Sequence, residues 1–196
     1  ERVYDAAILV CLTLLGGLQW IDLGLGRLTD NDMLRQLLLL FSVFGLMGLL
    51  GLPFTLYRQF KLEGRFGFNR MTPRLFVSDA VKGIAVALVL GVPLASAILW
   101  LMAEAGPYWW VWAWGLWTAF NLLLLFIYPT FIAPLFNKFT PLSDPELADR
   151  IHRLAQRCGF SLNGLFVMDG SRRSAHGNAY FTGFGRARRI VFFDTL

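Results

Sequence analysis

Of 196 residues, 56% are hydrophobic and 16% charged, and the mean hydropathy is +0.55. That exceeds the roughly 45–50% apolar content of a soluble domain and excludes an ordinary water-soluble enzyme. The net charge of +5 comes from basic residues beside apolar runs, where they set membrane orientation, so no nucleic-acid partner is expected.

The first apolar run, about Val3 to Ile21, is read as a membrane span; it lacks a basic leader region and a small-residue cleavage site. Leu37–Tyr57 and Gly83–Ala103 are uncharged runs of 21 residues each, and about 20 suffice for a helix to cross the hydrocarbon. Tyr108–Phe136 is uncharged for 29 residues. Its start is crowded by Trp109, Trp110, Trp112, Trp114 and Trp117, as at a headgroup interface, and Pro129 and Pro134 are expected to kink or end it. The reading is an α-helical multi-pass protein of about four spans, 3–21, 37–57, 83–103 and 108–136.

Loop charges orient these spans. Residues 58–82 carry Arg58, Lys61, Arg65, Arg70, Arg74 and Lys82, and nine more basic residues follow residue 136, whereas the loop after the third span has none. Lys and Arg accumulate in short cytoplasmic loops, so both chain ends are expected in the cytoplasm.

From 137 to 196 the pattern becomes that of a cytoplasmic α+β domain. Ser143 as N-cap, Glu146 three residues on and Gly159 as stop bound a helix over 144–158, with Leu147, Ile151, Leu154 and Cys158 on one apolar face. Leu165–Met168, Asn178–Thr182 and Ile190–Phe193 read as a three-stranded meander over 165–193. Cys11 and Cys158 are read as packing residues.

Candidate sites are few. No H-E-x-x-H, P-loop, G-x-S-x-G or dinucleotide fingerprint occurs, and the two histidines, His152 and His176, lie on different elements. His152 reads as a half-buried or solvated helix residue, and His176 as a loop-ordering residue or a neighbour of a site. Glu63–Asp79 is either an interfacial loop or one that packs on the cytoplasmic domain. In Asp169–Phe184 the bland reading is a turn with two solvated arginines, Arg172 and Arg173, then an ordinary strand with Tyr180 and Phe184 on one face. The functional alternative makes Asn178, Ala179 and Tyr180 an edge strand onto which an extended peptide can add, with small Ala179 allowing close approach.

"LEGRFGFNRMT" (Leu62–Thr72), "PLFNKFTPL" (Pro134–Leu142) and "VMDGSRRSAHGNAYFTGFGRARRIVFFDTL" (Val167–Leu196) closely resemble the type I CAAX prenyl endopeptidases, integral-membrane zinc metalloproteases of the gluzincin type. The motifs lie in the family's order. The resemblance implies a helical enclosure in the bilayer around a chamber, with peptide lying along an edge strand at Asn178, Ala179 and Tyr180. It also implies zinc-activated water attack, with zinc held by H-E-x-x-H and a later glutamate. Those residues are absent here, so the chain is read as the N-terminal part of such an enzyme: no catalytic residue, no metal ligand and no activity alone.

Its expected partners are a peptide or prenylated-protein substrate, the lipid bilayer and the remaining C-terminal part of the enzyme. A bacterial inner membrane is favoured as its location, or the endoplasmic reticulum in a eukaryote, for CAAX-type processing or membrane-protein quality control. The alternative is a non-catalytic binding, transport or structural module on the same scaffold.

Overall fold

The structure, a computed structural model, describes residues 2–160, 162, 164–182 and 188–196, apart from the side chain of Arg2. The expected pairing of Phe184 with Tyr180 on one face lies outside the described residues.

The first apolar run is broken. α1 (Arg2–Thr13) and α2 (Gly17–Leu25) meet at 54°. Gly16 between them has φ 78°, and a Cβ on Gly17 would lie 2.9 Å from the Cys11 carbonyl oxygen. Neither position accommodates a side chain without strain, which is why the expected span over 3–21 bends.

α3 (Asp32–Leu56) starts where the Asn31 side chain accepts the Leu34 N–H at 2.9 Å. It continues through a π-helical turn, Tyr57–Leu62, into α4 (Glu63–Arg65). After a turn at Gly67, φ 73°, the chain enters α5 (Pro73–Glu104), with Pro73 at its first position and Thr72 Oγ1 accepting the Leu75 N–H at 3.2 Å. A short 3₁₀ turn, Gly106–Tyr108, leads into α6 (Trp109–Ile127), then a π-helical turn, Tyr128–Ile132, and α7 (Ala133–Phe136).

Asp32–Arg65, Pro73–Glu104 and Gly106–Phe136 are each long and apolar enough to cross a membrane, and the bent pair makes a fourth span if counted as one. The helices overrun the runs of uncharged sequence. Arg58, Lys61, Arg74 and Lys82 are all helical, because a charge marks where a helix leaves lipid and does not end it. Cys11 and Cys158, expected as packing residues, are exposed instead: each lies on the outward side of its helix or cap.

Two compact units divide the chain: Glu1–Leu62 with Leu88–Leu116, and Glu63–Ala87 with Trp117–Leu196. In the first, Arg35 pairs with Asp22 at 3.2 Å, tying α3 to α2. The second holds β1 (Phe139–Pro141), α8 (Pro145–Arg157), β2 (Gly164–Met168), β3 (Ala179–Thr182) and β4 (Arg189–Phe193).

The N-cap of α8 is Asp144 and not Ser143: its Oδ1 accepts from Glu146 N at 2.9 Å and Leu147 N at 3.1 Å. Pro145, fixed at the first helical position, moves the cap to its immediate neighbour.

The sheet corrects the meander. Its order is β1-β2-β4-β3, with β2 and β4 parallel and the outer pairs antiparallel. The segment between β2 and β3 is no hairpin turn but a tethered loop that carries the chain away from β2, so the later strand fills the gap. Uninterrupted apolar Ile190–Phe193 suits the centre, where Val191 is 1% exposed, while β3 alternates exposed and half-buried positions. β1, only three residues long and ending in proline, carries too little pattern to be read in advance.

Candidate functional site

Among the described strands, β3 forms one edge of the sheet, opposite β1, and is paired on one side with β4. Ala179 stands opposite Phe192 and Tyr180 opposite Val191, and the Asn178 carbonyl accepts Phe193 N–H at 2.8 Å. Antiparallel ladders alternate, so Asn178, Tyr180 and Thr182 direct their main-chain groups at β4. Those of Ala179 and Phe181 face outward. The Ala179 N–H meets the side chain of its own neighbour, Asn178 Oδ1, at 2.8 Å. Asn178 and Ala179 are exposed; Tyr180 turns into the sheet, its ring edge-on to Phe193 and its hydroxyl 3.9 Å from Met168 Sδ. Burial, with a contribution from Tyr128, raises the Tyr180 pKa above its usual value, against an opposing effect of Arg189.

The loop before the edge strand is tied down almost residue by residue. Asp169 Oδ1 accepts Lys138 N–H at 2.7 Å and its other oxygen pairs with Arg172 at 3.0 Å. Ser171 donates its N–H to Asp194 Oδ1 at 2.7 Å and its hydroxyl to Oδ2. Arg173 is far from solvated: Nε donates to Asp79 at 2.8 Å, Nη1 to Asn137 at 2.7 Å and Nη2 to the Phe136 carbonyl at 2.6 Å. Its own carbonyl accepts Arg70 N–H at 3.1 Å. Ser174 bridges to Asn69, Ala175 N–H donates to the Phe68 carbonyl at 2.9 Å, and the His176 ring stacks on Phe68 with centroids 4.1 Å apart. Thr195 Oγ1 donates to the His176 carbonyl at 3.0 Å.

The aromatic and basic loop after α4 therefore packs on the segment of the 137–196 region that leads into β3, as the sharper of its two sequence readings had it. His176 orders the loop by ring stacking, and His152 bonds within its own helix, Nδ1 to the Ala148 carbonyl at 2.8 Å. The Asp79–Arg173 pair escaped the sequence reading because 94 residues separate its members. The one available signal was a lone acidic residue between the basic Arg74 and Lys82 at the start of the helix.

Asp194 has a pKa below the usual carboxylate range. Burial works to raise it, but the Ser171 hydroxyl and N–H, its own N–H and the Arg70 charge together outweigh that effect.

Three basic side chains reach main-chain carbonyls of the last apolar helix, two of them at its end and one in its π-helical turn. Lys82 Nζ takes the Leu135 carbonyl at 2.9 Å, Arg173 the Phe136 carbonyl, and Arg189 the Pro129 carbonyl. Cations at a helix C-terminus satisfy orphan acceptors and complement the dipole. Zinc does not fit the residues described: no group of three His, Cys, Asp or Glu side chains gathers among them.

A family model described as "CAAX prenyl protease N-terminal, five membrane helices" matches residues 1–138, and the Peptidase family M48 model matches residues 141–196. The chain is 43% identical to a CAAX prenyl protease 1 homolog of Arabidopsis thaliana, over 88% of this chain and 41% of that protein. It is 42% identical to the Homo sapiens homolog, over 81% of this chain and 33% of that one. The crystal structure of S. mikatae Ste24p superposes with a TM-score of 0.90 at 35% identity, covering 99% of this chain and 46% of that one. This chain thus spans less than half the length of these relatives. Its apolar helices, its small sheet and these matches agree: the chain belongs to the CAAX prenyl protease family, membrane-integral zinc metalloproteases of Peptidase family M48.

Proposed function

We infer that this chain provides the membrane scaffold and the substrate-aligning strand of a zinc metalloendopeptidase that cleaves peptides near their C-terminus. The observation that carries this reading is the edge position of β3, with the outward main-chain groups of Ala179 and Phe181. An extended peptide adding there gains main-chain hydrogen bonds, and the small exposed Ala179 keeps the approach open. To pair, the peptide takes the Ala179 N–H from Asn178 Oδ1, and the released Asn178 amide can then bond the peptide main chain. Tyr180 contributes through its main chain and its packing on Phe193. Zinc, held by residues other than those described, would supply the polarised water for hydrolysis, while the residues described bind and align the peptide.

Likeness to CAAX prenyl proteases of a plant and of Homo sapiens favours a prenylated CAAX peptide over general membrane-protein quality control. In this reading residues 1–136 are the membrane region and 137–196 the start of the protease domain. The clustered Lys and Arg residues support a cytoplasmic placement of that domain and of both chain ends, in a bacterial inner membrane or the endoplasmic reticulum of a eukaryote.

The test is Asn178→Ala in the full-length enzyme carrying this sequence. Losing one substrate hydrogen bond should lower kcat/KM on a prenylated CAAX peptide by about tenfold, with zinc content intact. Equal loss of zinc, or unchanged turnover, would count against this assignment. A full-length protein that binds the peptide without cleaving it would favour the non-catalytic alternative.

A further inference from the structure

We propose that Arg173 is a positioning residue for the substrate strand, acting through the loop that precedes it; the proposal rests on the peptidase reading above. The Arg173 side chain is 20% exposed and that of Asp79 15%. Its guanidinium is used in three directions at once, toward the α5 carboxylate, the Asn137 amide and the last carbonyl of α7. A planar fork bound on three sides has one orientation, which a lysine ammonium in its place would not keep.

The pair is poorly arranged for stability alone. Asp79 Oδ1 is buried and accepts no hydrogen bond from the described residues. An ion pair with one carboxylate oxygen left without a partner recovers less of its desolvation cost, so the three directed bonds of Arg173 matter here for the one orientation they fix. That geometry is passed along the chain. Arg173 is gripped again at its main chain by Arg70, the next residues are bridged to Asn69 and Phe68, and His176 is held by Thr195. Asn178, where the edge strand begins its pairing with β4, follows two residues later. The register of the strand is thus anchored on its β4 side by the ladder and at its entry by this loop.

Arg173→Lys keeps a cation beside Asp79 and drops the fork, so it perturbs position more than charge. In the full-length enzyme in lipid nanodiscs, amide exchange across residues 174–182 should rise by about tenfold. KM for a prenylated CAAX peptide should rise about fivefold with kcat within about twofold and zinc content unchanged. Asp79→Asn retains an acceptor for Nε and should shift both readouts in the same direction by less. Unchanged exchange across 174–182 would overturn the proposal. So would raised exchange with KM unmoved, or a lowered Tm with both other readouts intact, since either outcome leaves Arg173 a stabilising residue only. Absence of turnover in the unsubstituted enzyme would sink the peptidase reading instead, because the exchange measurement needs no substrate.

Discussion

Arg189, in the central strand β4, donates to the carbonyl of Pro129, the acceptor in the π-helical turn that would face the missing N–H of Pro134. The turn already sends Ala133 N–H back five residues to Tyr128, and proline has no proton to extend that pattern. A defect written into the membrane helix by one residue is completed by the sheet.

Arg189→Met should therefore leave a part-buried carbonyl unpaired and lower stability by about 1 kcal/mol. Pro134→Ala in the same background should recover part of that loss by restoring an N–H. Thermal unfolding of both variants in detergent checks this; an additive double variant would show that the two residues do not act on one carbonyl.

Alternation along β3 separates two proline substitutions. Ala179→Pro removes an N–H that faces away from β4, so the sheet should survive while peptide turnover falls by at least about tenfold. Tyr180→Pro removes one aimed at β4 and should destabilise the sheet outright, by about 3 kcal/mol or more. Equal unfolding of both variants would show the assigned direction of these groups to be wrong.

Asp194 makes the acid limb of stability predictable in sign. Its folded pKa lies below the unfolded value, so its contribution is complete above the unfolded pKa and is lost as pH falls through the folded one. Ser171→Ala removes one of the three hydrogen bonds that depress the pKa, and the Tm profile below about pH 4 should become shallower. A profile parallel to that of the unsubstituted protein would show that Ser171 does not hold the carboxylate.

Tyr180→Phe should cost little, under about 1 kcal/mol, because among the described residues its hydroxyl meets a weak sulfur acceptor, Met168 Sδ. Its ring contact with Phe193 remains. Since the folded pKa of Tyr180 is raised, any stability linked to its proton is present below the unfolded pKa and is lost as pH rises through the folded value. The Phe variant should lack that alkaline decline, as a Tm series above about pH 9 would reveal.

What the sequence disclosed follows the range of the forces involved. Uncharged runs long enough to cross lipid are local, so Leu37–Tyr57 and Gly83–Ala103 were legible at once, and Pro129 and Pro134 marked the disturbed end of the last span. The break at Gly16 was not legible, because the close approach of Gly17 to the Cys11 carbonyl is a property of the folded chain. Strand segments showed in their apolar pattern, but the order of strands did not. Nothing in Leu165–Met168 or Ile190–Phe193 says that they run side by side in parallel. Asn178–Tyr180 could be read as an edge, whereas Arg173 looked solvated because its three partners come from residues 37 and 94 positions away and from Asn137.

The strand order has a consequence for the birth of the molecule. β3 is made before β4, yet β4 is the strand against which it forms its ladder. As the chain leaves the ribosome, the loop before Ala179–Thr182 can be held by Asp79, Asn137 and residues 68–70. Its bonds to Asp194 and Thr195, and the strand's own pairing, wait for residues 189–195 to emerge. The surface proposed to receive substrate is thus among the last parts of this sheet to take shape, and a ribosome paused between the two strands would hold it as an unpaired, aggregation-prone ribbon.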